Sequence, residues 1–248
     1  MLTIDELERY DRQIMLREIG KEGQEKLKKA RVFIAGAGGL GSTAAIYLTA
    51  AGIGNIRIVD RDTVELSNLN RQVLHWDEDR GRSKVDSAFE KLKRLNPDVK
   101  IEAIQETITE ANINSLLAGC ELIVDAMDNL PTRYLLNKAS LKHHIPFFHG
   151  AVYGFEGRAM TIIPPKTACL RCVYRGVPPE ERFPVMGTTP AVIGCIQATE
   201  VIKYILGIGK LLTNTLLNYD ALDMEFRAFK VNKDPHCEHC GQVKERSK

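Results

Sequence analysis

Between Arg31 and Val152, short continuous apolar runs alternate with longer stretches whose apolar residues recur at helical spacing. Val32–Ala35, Ile56–Val59, Ile101–Ile104, Leu122–Ala126 and Pro146–Val152 read as buried strands. Leu40–Ala51, Ser83–Leu95, Glu110–Leu117 and Pro131–His143 read as helices between them, the last with proline in its first turn. Strands alternating with helices require right-handed crossovers, so the expected fold class is α/β, a doubly wound, Rossmann-like, mostly parallel sheet. Ahead of it, Thr3 and Glu6 form a capping-box pair opening an amphipathic helix with Leu7, Tyr10, Ile14 and Leu16 on its apolar stripe. Glu22–Ala30 predicts a second helix. Past Gly154 the rhythm changes: Arg158–Ile163, Thr215–Tyr219 and Glu225–Val231 predict added antiparallel strands, with a strongly apolar helix at Ala191–Leu206.

Composition narrows the class. The 248 residues suit one large domain, and 44% hydrophobic with 27% charged residues excludes a disordered chain or a small disulfide scaffold. Lys and Arg number 34 against 32 acids, a net charge of +2. A protein that binds nucleic acid by neutralising phosphates needs a larger, clustered basic excess, so nucleic acid is not the expected partner. No apolar run approaches the ~20 residues that span a bilayer. The acidic opening residues do not read as a secretory signal, and a cytoplasmic protein is expected. In a reducing compartment the six cysteines are expected as metal ligands, catalytic groups or core residues rather than disulfides.

The first strand runs into Gly36-Ala37-Gly38-Gly39-Leu40-Gly41, which opens a helix. Gly36, Gly38, Gly39 and Gly41 allow a tight turn and close backbone approach, so amides at the helix N-terminus can hold phosphate oxygens. Asp60 ends the second strand, where a carboxylate can accept from ribose hydroxyls. Asn68, Arg71 and Gln72 follow, and Lys84 begins the next helical stretch. Such a cationic set suits a triphosphate better than a dinucleotide, because several negative charges must be balanced while pyrophosphate departs; a solvated polar loop is the alternative. Asp125 and Asp128 lie at the end of the fourth strand, on the ligand-binding edge of an open parallel sheet. A carboxylate there can hold Mg²⁺ against phosphates. Asp128 could instead cap the helix that starts near Pro131, and Asp125 is the more structural of the two.

Cys169 and Cys172 form one CxxC knuckle, Cys237 and Cys240 another. Four thiolates so paired suit tetrahedral Zn²⁺. His239 is an alternative ligand, with Cys240 preferred. Cys120 and Cys195 stand alone and read as core residues.

RYDRQ at 9–13, GAGGLG, VDRDTVELSNLNRQ, GRSK at 81–84, DAMDN, CLRC, CIQATEVIKYILG and CEHC occur in one order. Together they resemble the ThiF/MoeB/HesA family, relatives of ubiquitin-activating enzymes, from about Tyr10 to Gly241. The resemblance implies ATP- and Mg²⁺-dependent adenylation of the C-terminal glycine of a small ubiquitin-like carrier ending Gly-Gly. By the same resemblance Gly39 and its neighbours would lie against the nucleotide, and Asp60 would bind the ribose. Asn68, Arg71 and Lys84 would bind phosphates, and Asp128 would hold the metal. Arg12 matches an arginine that family homodimers insert into the partner's site, and the four cysteines match a zinc site. Some relatives carry a cysteine in the loop crossing the active site; residues 177–190 here contain none, which implies an external sulfur donor.

A single adenylation domain over residues 1–248 is expected, with N-terminal helices to residue 30 and a nucleotide-binding core over 31–152. Residues 153–248 would form the carrier-binding and zinc-bearing part. An NAD-dependent oxidoreductase fits the glycine turn and Asp60 but leaves Arg71, Lys84 and the paired cysteines without a task. A tRNA-modifying cyclase-dehydratase and a non-catalytic partner subunit are further alternatives.

Overall fold

The computed structural model describes residues 1–175 and 183–243. Strands β1 (Arg31–Ala35), β2 (Asn55–Val59), β3 (Lys100–Ile104), β4 (Leu122–Asp125) and β5 (Phe147–Tyr153) are mutually parallel. Strands β6 (Glu156–Ile162), β7 (Thr215–Asp220) and β8 (Glu225–Lys230) continue the sheet antiparallel, in the order β3-β2-β1-β4-β5-β6-β7-β8. The chain passes from β1 outward to β3 and then returns to place β4 on the other side of β1. Order reverses between β1 and β4, which is where open α/β sheets leave a ligand crevice.

Side-chain alternation along β1 shows why its apolar run is continuous. Val32 and Ile34 belong to one core layer, Phe33 and Ala35 to the other, and all four are buried. The first layer packs under α3 (Gly20–Lys29), α4 (Gly39–Ala50), α5 (Lys84–Leu95) and the C-terminal half of α9 (Thr188–Leu206). The second packs under α6 (Ile113–Leu116), α7 (Leu130–His143) and α8 (Leu170–Val173). The α9 helix lies along α4 and against β5 and β6.

Two predicted helices are corrected. The N-terminal stripe splits into α1 (Ile4–Arg9) and α2 (Asp11–Ile14), separated at Tyr10. Tyr10 is buried, and its hydroxyl accepts from Asn96 Nδ2 at 2.8 Å. That anchorage holds it at φ −100°, ψ 12°, outside a regular helix, and leaves Leu16 exposed. The capping box itself is present: Thr3 accepts from Glu6 N–H, and Glu6 accepts from Thr3 N–H. The stretch Glu110–Leu117 is helical only over α6, because Asn112 turns its side chain back to accept from Thr109 N–H at 2.8 Å. No helix among the described residues is long and apolar enough to cross a membrane.

Candidate active site

The glycine turn follows β1 directly. Gly36 has φ 101°, and its N–H donates to Val59 O at 2.8 Å. A Cβ on Gly41 would lie 1.9 Å from Gly36 O, so no side chain fits where the turn enters α4. Gly39 backs onto Pro190 of α9, whereas Gly38 has open space, its nearest neighbour being Gln72 Nε2 at 3.8 Å from a built Cβ.

Asp60, at the end of β2, holds this turn. Its Oδ2 accepts from Ala37 N–H at 2.7 Å and its Oδ1 from Asp62 N–H at 2.9 Å. His75 supports the turn from beneath, sitting between Ala37 O and Ser87 Oγ, each at 2.9 Å. Burial lowers the His75 pKa. Sequence reasoning passed over His75; a histidine within an otherwise apolar stretch, three residues past Gln72, was the available signal.

Residues 66–68 make a single 3₁₀ turn ending at Asn68, after which the Arg71 carbonyl lies by Gly39 and the Gln72 side chain faces Gly38. Asn68 is buried and accepts from Glu65 N–H at 3.1 Å. Arg71 donates to Ser67 O and Asn70 Oδ1, with no carboxylate partner among the described residues. Gln72 is buried, and its Oε1 has no partner. Buried carbonyl oxygens are nearly always satisfied, so this orphan beside an open glycine turn fits a site built for a ligand. Lys84, the first residue of α5, is buried and reaches Asp62 Oδ2 at 3.0 Å.

The two aspartates after β4 differ sharply. Asp125 is fully buried and accepts from His149 Nδ1 at 2.7 Å and Met127 N–H at 3.2 Å. Asp128 is exposed and, among the described residues, makes only a long contact, 3.4 Å, with Asn129 Nδ2. The cap of α7 is Asn129, which accepts from Thr132 N–H at 3.0 Å, so Asp128 does not serve as the helix cap. Its exposed carboxylate is suited to a hard divalent cation shared with phosphates. Arg12 is exposed on α2 and forms no ion pair with Asp5 or Glu8.

Asp60, Gln72 and the glycine turn are thus in contact, Lys84 joins them through Asp62, and β1–β4 pairing brings the Asp128 loop alongside. Arg12 is not drawn into this group within one chain.

The sulfur atoms of Cys169, Cys172, Cys237 and Cys240 all lie within 4.8 Å of one another. Specific spacings are 4.0 Å for Cys169–Cys172, 3.7 Å for Cys169–Cys237 and 3.5 Å for Cys172–Cys240. Zinc with four bonds of about 2.3 Å in a tetrahedron spaces its sulfurs by about 3.8 Å, so the cluster fits zinc. Burial pushes the Cys169 thiol up to about 12 and raises Cys240 too. Burial opposes ionisation at Cys237 as well, but N–H groups of Cys240 and His239 outweigh it and lower that thiol. His239 is not a fourth ligand: its Nδ1 pairs with Asn137 Nδ2 at 2.9 Å. Asn137 Oδ1 accepts from Leu170 N–H, so one side chain braces both knuckles.

Cys195 and Cys120 are half-buried, and burial raises both thiols, which disfavours the reactive thiolate. The reading of residues 177–190 as a crossing loop falls partly on 176–182, outside the described residues.

Residues 10–239 match the ThiF family. The SAMP-activating enzyme E1 of Haloferax volcanii is 44% identical over 247 residues, covering 97% of this chain and 91% of the relative. The sulfur carrier protein adenylyltransferase of Thermus thermophilus is 44% identical over 250 residues, covering 96% of this chain and 92% of that protein. The adenylyltransferase and sulfurtransferase MOCS3-1 of Zea mays is 38% identical over 97% of this chain, which spans 53% of its length. The crystal structure of E. coli MccB with ATP has the same fold, with a TM-score of 0.85 at 23% identity over 94% of this chain and 75% of that one.

Proposed function

The chain belongs to the ThiF family, and on that premise we propose that it adenylates the C-terminal glycine of a small ubiquitin-like, MoaD- or ThiS-like sulfur carrier. The product acyl-adenylate would serve thiocarboxylate formation in molybdopterin, thiamine or related sulfur-transfer biosynthesis. Residues 1–248 act as one adenylation domain. The observation that carries this reading is the gathering of a phosphate-ready glycine turn, Asp60, the orphaned Gln72 and two cations, Arg71 and Lys84, at the β1/β4 switch point.

Adenylation needs no protein nucleophile. The carrier carboxylate attacks the α-phosphate in line and pyrophosphate leaves, so rate comes from positioning and from stabilising developing phosphate charge. The glycine-turn amides and Gln72 seat the nucleotide, and Asp60 takes the ribose. Asn68, Arg71 and Lys84 face the phosphates. Mg²⁺, when bound, neutralises phosphate charge beside Asp128. Arg12, exposed and without an ion pair among the described residues, would act across a homodimer boundary as an added cation. Zinc at the four cysteines is structural, tying the end of the chain to the body. With its lone thiols half-buried, the chain hands its adenylate to an external sulfur donor.

The test is ATP–pyrophosphate exchange. It should require Mg²⁺ and a carrier with a free C-terminal glycine, and Asp128→Ala should lower it by at least about a hundredfold, the scale of losing one electrostatic contributor, with the fold intact. Exchange by Asp128→Ala at the wild-type rate would remove the metal-holding role.

A further inference from the structure

A buried polar chain runs from the cysteine cluster to the loop that bears Asp128. Tyr174 stands two residues past Cys172, at the end of α8, and its hydroxyl lies 3.2 Å from His149 Nε2. His149, on β5 and wholly buried, places Nδ1 2.7 Å from Asp125 Oδ2. Burial keeps this imidazole neutral, so its single proton belongs on Nδ1, facing the carboxylate, while Nε2 accepts from Tyr174. The other oxygen of Asp125 accepts from Met127 N–H at 3.2 Å, one residue before Asp128.

A second tether runs in parallel through α7. Arg133 donates to Met127 O at 3.0 Å and to Gly150 O at 3.0 Å, and its Nε lies 3.7 Å from Asp125 Oδ2. One residue on, the Tyr134 hydroxyl donates to Tyr174 O at 2.8 Å. Both routes therefore start at the segment just beyond the first knuckle and end on Met127. A buried carboxylate with this many partners is costly to form unless all of them are in place, so the chain is either fully made or lost as a unit.

We propose that Asp125, His149 and Tyr174 are positioning residues that couple the four-cysteine site to the Asp128 loop, so that zinc loading sets where the Asp128 carboxylate stands. The consequence for magnesium rests on the adenylation reading; the coupling itself does not. Neither the exposed Asp128 nor the knuckle contacts the other directly, and the device needs only that Tyr174 be held where the ordered knuckle holds it.

The experiment uses the full chain, purified without chelator and checked for one zinc per chain, with amide hydrogen exchange read at Met127. Tyr174→Phe deletes the hydroxyl that reaches His149 and also bonds the Arg158 side chain, and leaves the backbone bond to Tyr134 in place. Met127 exchange should quicken about fivefold or more, the usual scale of coupling between sites. The Mg²⁺ concentration for half-maximal pyrophosphate exchange should rise in the same variant, by more than its rate at saturating Mg²⁺ falls. Stripping zinc from the wild type should quicken Met127 likewise, while stripping Tyr174→Phe should add less than it does in the wild type, because only the tether through Tyr134 and Arg133 is then left to lose. His149→Phe, which keeps the ring stacked beside Phe147, should match Tyr174→Phe. Wild-type Met127 protection in zinc-loaded Tyr174→Phe overturns the proposal, and that variant decides alone if His149→Phe or the stripped chain does not fold. Absence of pyrophosphate exchange in every form would defeat the adenylation reading and leave the Met127 result to decide the coupling.

Discussion

Asp60 and His75 show how single polar side chains hold a loop that has almost no side chains of its own. Asp60 grips Ala37 through its N–H and His75 through its carbonyl, so the two peptide planes that meet at Ala37 are each held. Burial, with Lys84 and Lys91 nearby, depresses the His75 pKa although its bond to Ala37 O opposes this, which favours the neutral ring. His149 is depressed by burial too. A group with a folded pKa below its unfolded value of about 6.5 stabilises fully above that pH and loses its contribution as pH falls toward the folded pKa. Stability should therefore drop between about pH 6.5 and 5, by up to about 1.4 kcal/mol per pH unit for each of the two histidines. Urea midpoints from pH 7.5 to 5 measure it, and a flat profile over that range would show that neither ring is held neutral.

At the scale of elements, α7 has a larger share than its length suggests. Its N-cap, Asn129, adjoins Asp128, and its first two turns carry Arg133, Tyr134 and Asn137, which reach Met127, Tyr174 and both knuckles. Asn129→Ala removes the cap hydrogen bond to Thr132 N–H. The expected loss is about 1 kcal/mol of unfolding free energy, read from denaturant titration, together with weaker Mg²⁺ dependence of pyrophosphate exchange. A loss below the error of the titration would mean that the cap is redundant with Pro131. The start of this helix was readable from Pro131, because a first-turn proline is a local signal, but the cap was sought at Asp128 and the structure has it one residue on, at Asn129. The break at Tyr10 was not: no residue between Leu7 and Ile14 forbids helix, and what interrupts it is a hydrogen bond to Asn96, far along the chain.

At the scale of the whole molecule, one chain assembles all the proposed nucleotide contacts except Arg12, which remains exposed and without an ion pair among the described residues. If it serves a neighbouring copy, Arg12→Ala and Lys84→Ala are each inactive as homodimers, yet a mixed dimer has one site with both residues intact. Mixing the two variants under subunit exchange should restore pyrophosphate exchange to about a quarter of wild type: one site in two, in about half of the dimers formed at random association. No recovery despite confirmed exchange of subunits would place Arg12 outside the reaction.

The order of strands and helices, the glycine turn and the pairing of cysteines were all legible from the chain, because each rests on short-range chemistry. Strands buried on both faces must be continuously apolar, a strand-to-helix phosphate turn needs glycine where Gly41 meets Gly36, and CxxC spacing lets two thiolates face one ion. Asp125 was already readable as the more structural aspartate from its place in the strand, but tertiary structure alone decided that its partner is His149, that His239 braces Asn137 instead of joining the sulfurs, and that His149 and Tyr174 bridge two sites. Those outcomes depend on which strands become neighbours and on how deeply each carboxylate and imidazole is buried. Such partnerships span stretches of chain that no local pattern relates, and they exist only once the sheet has brought β4, β5 and the first knuckle together.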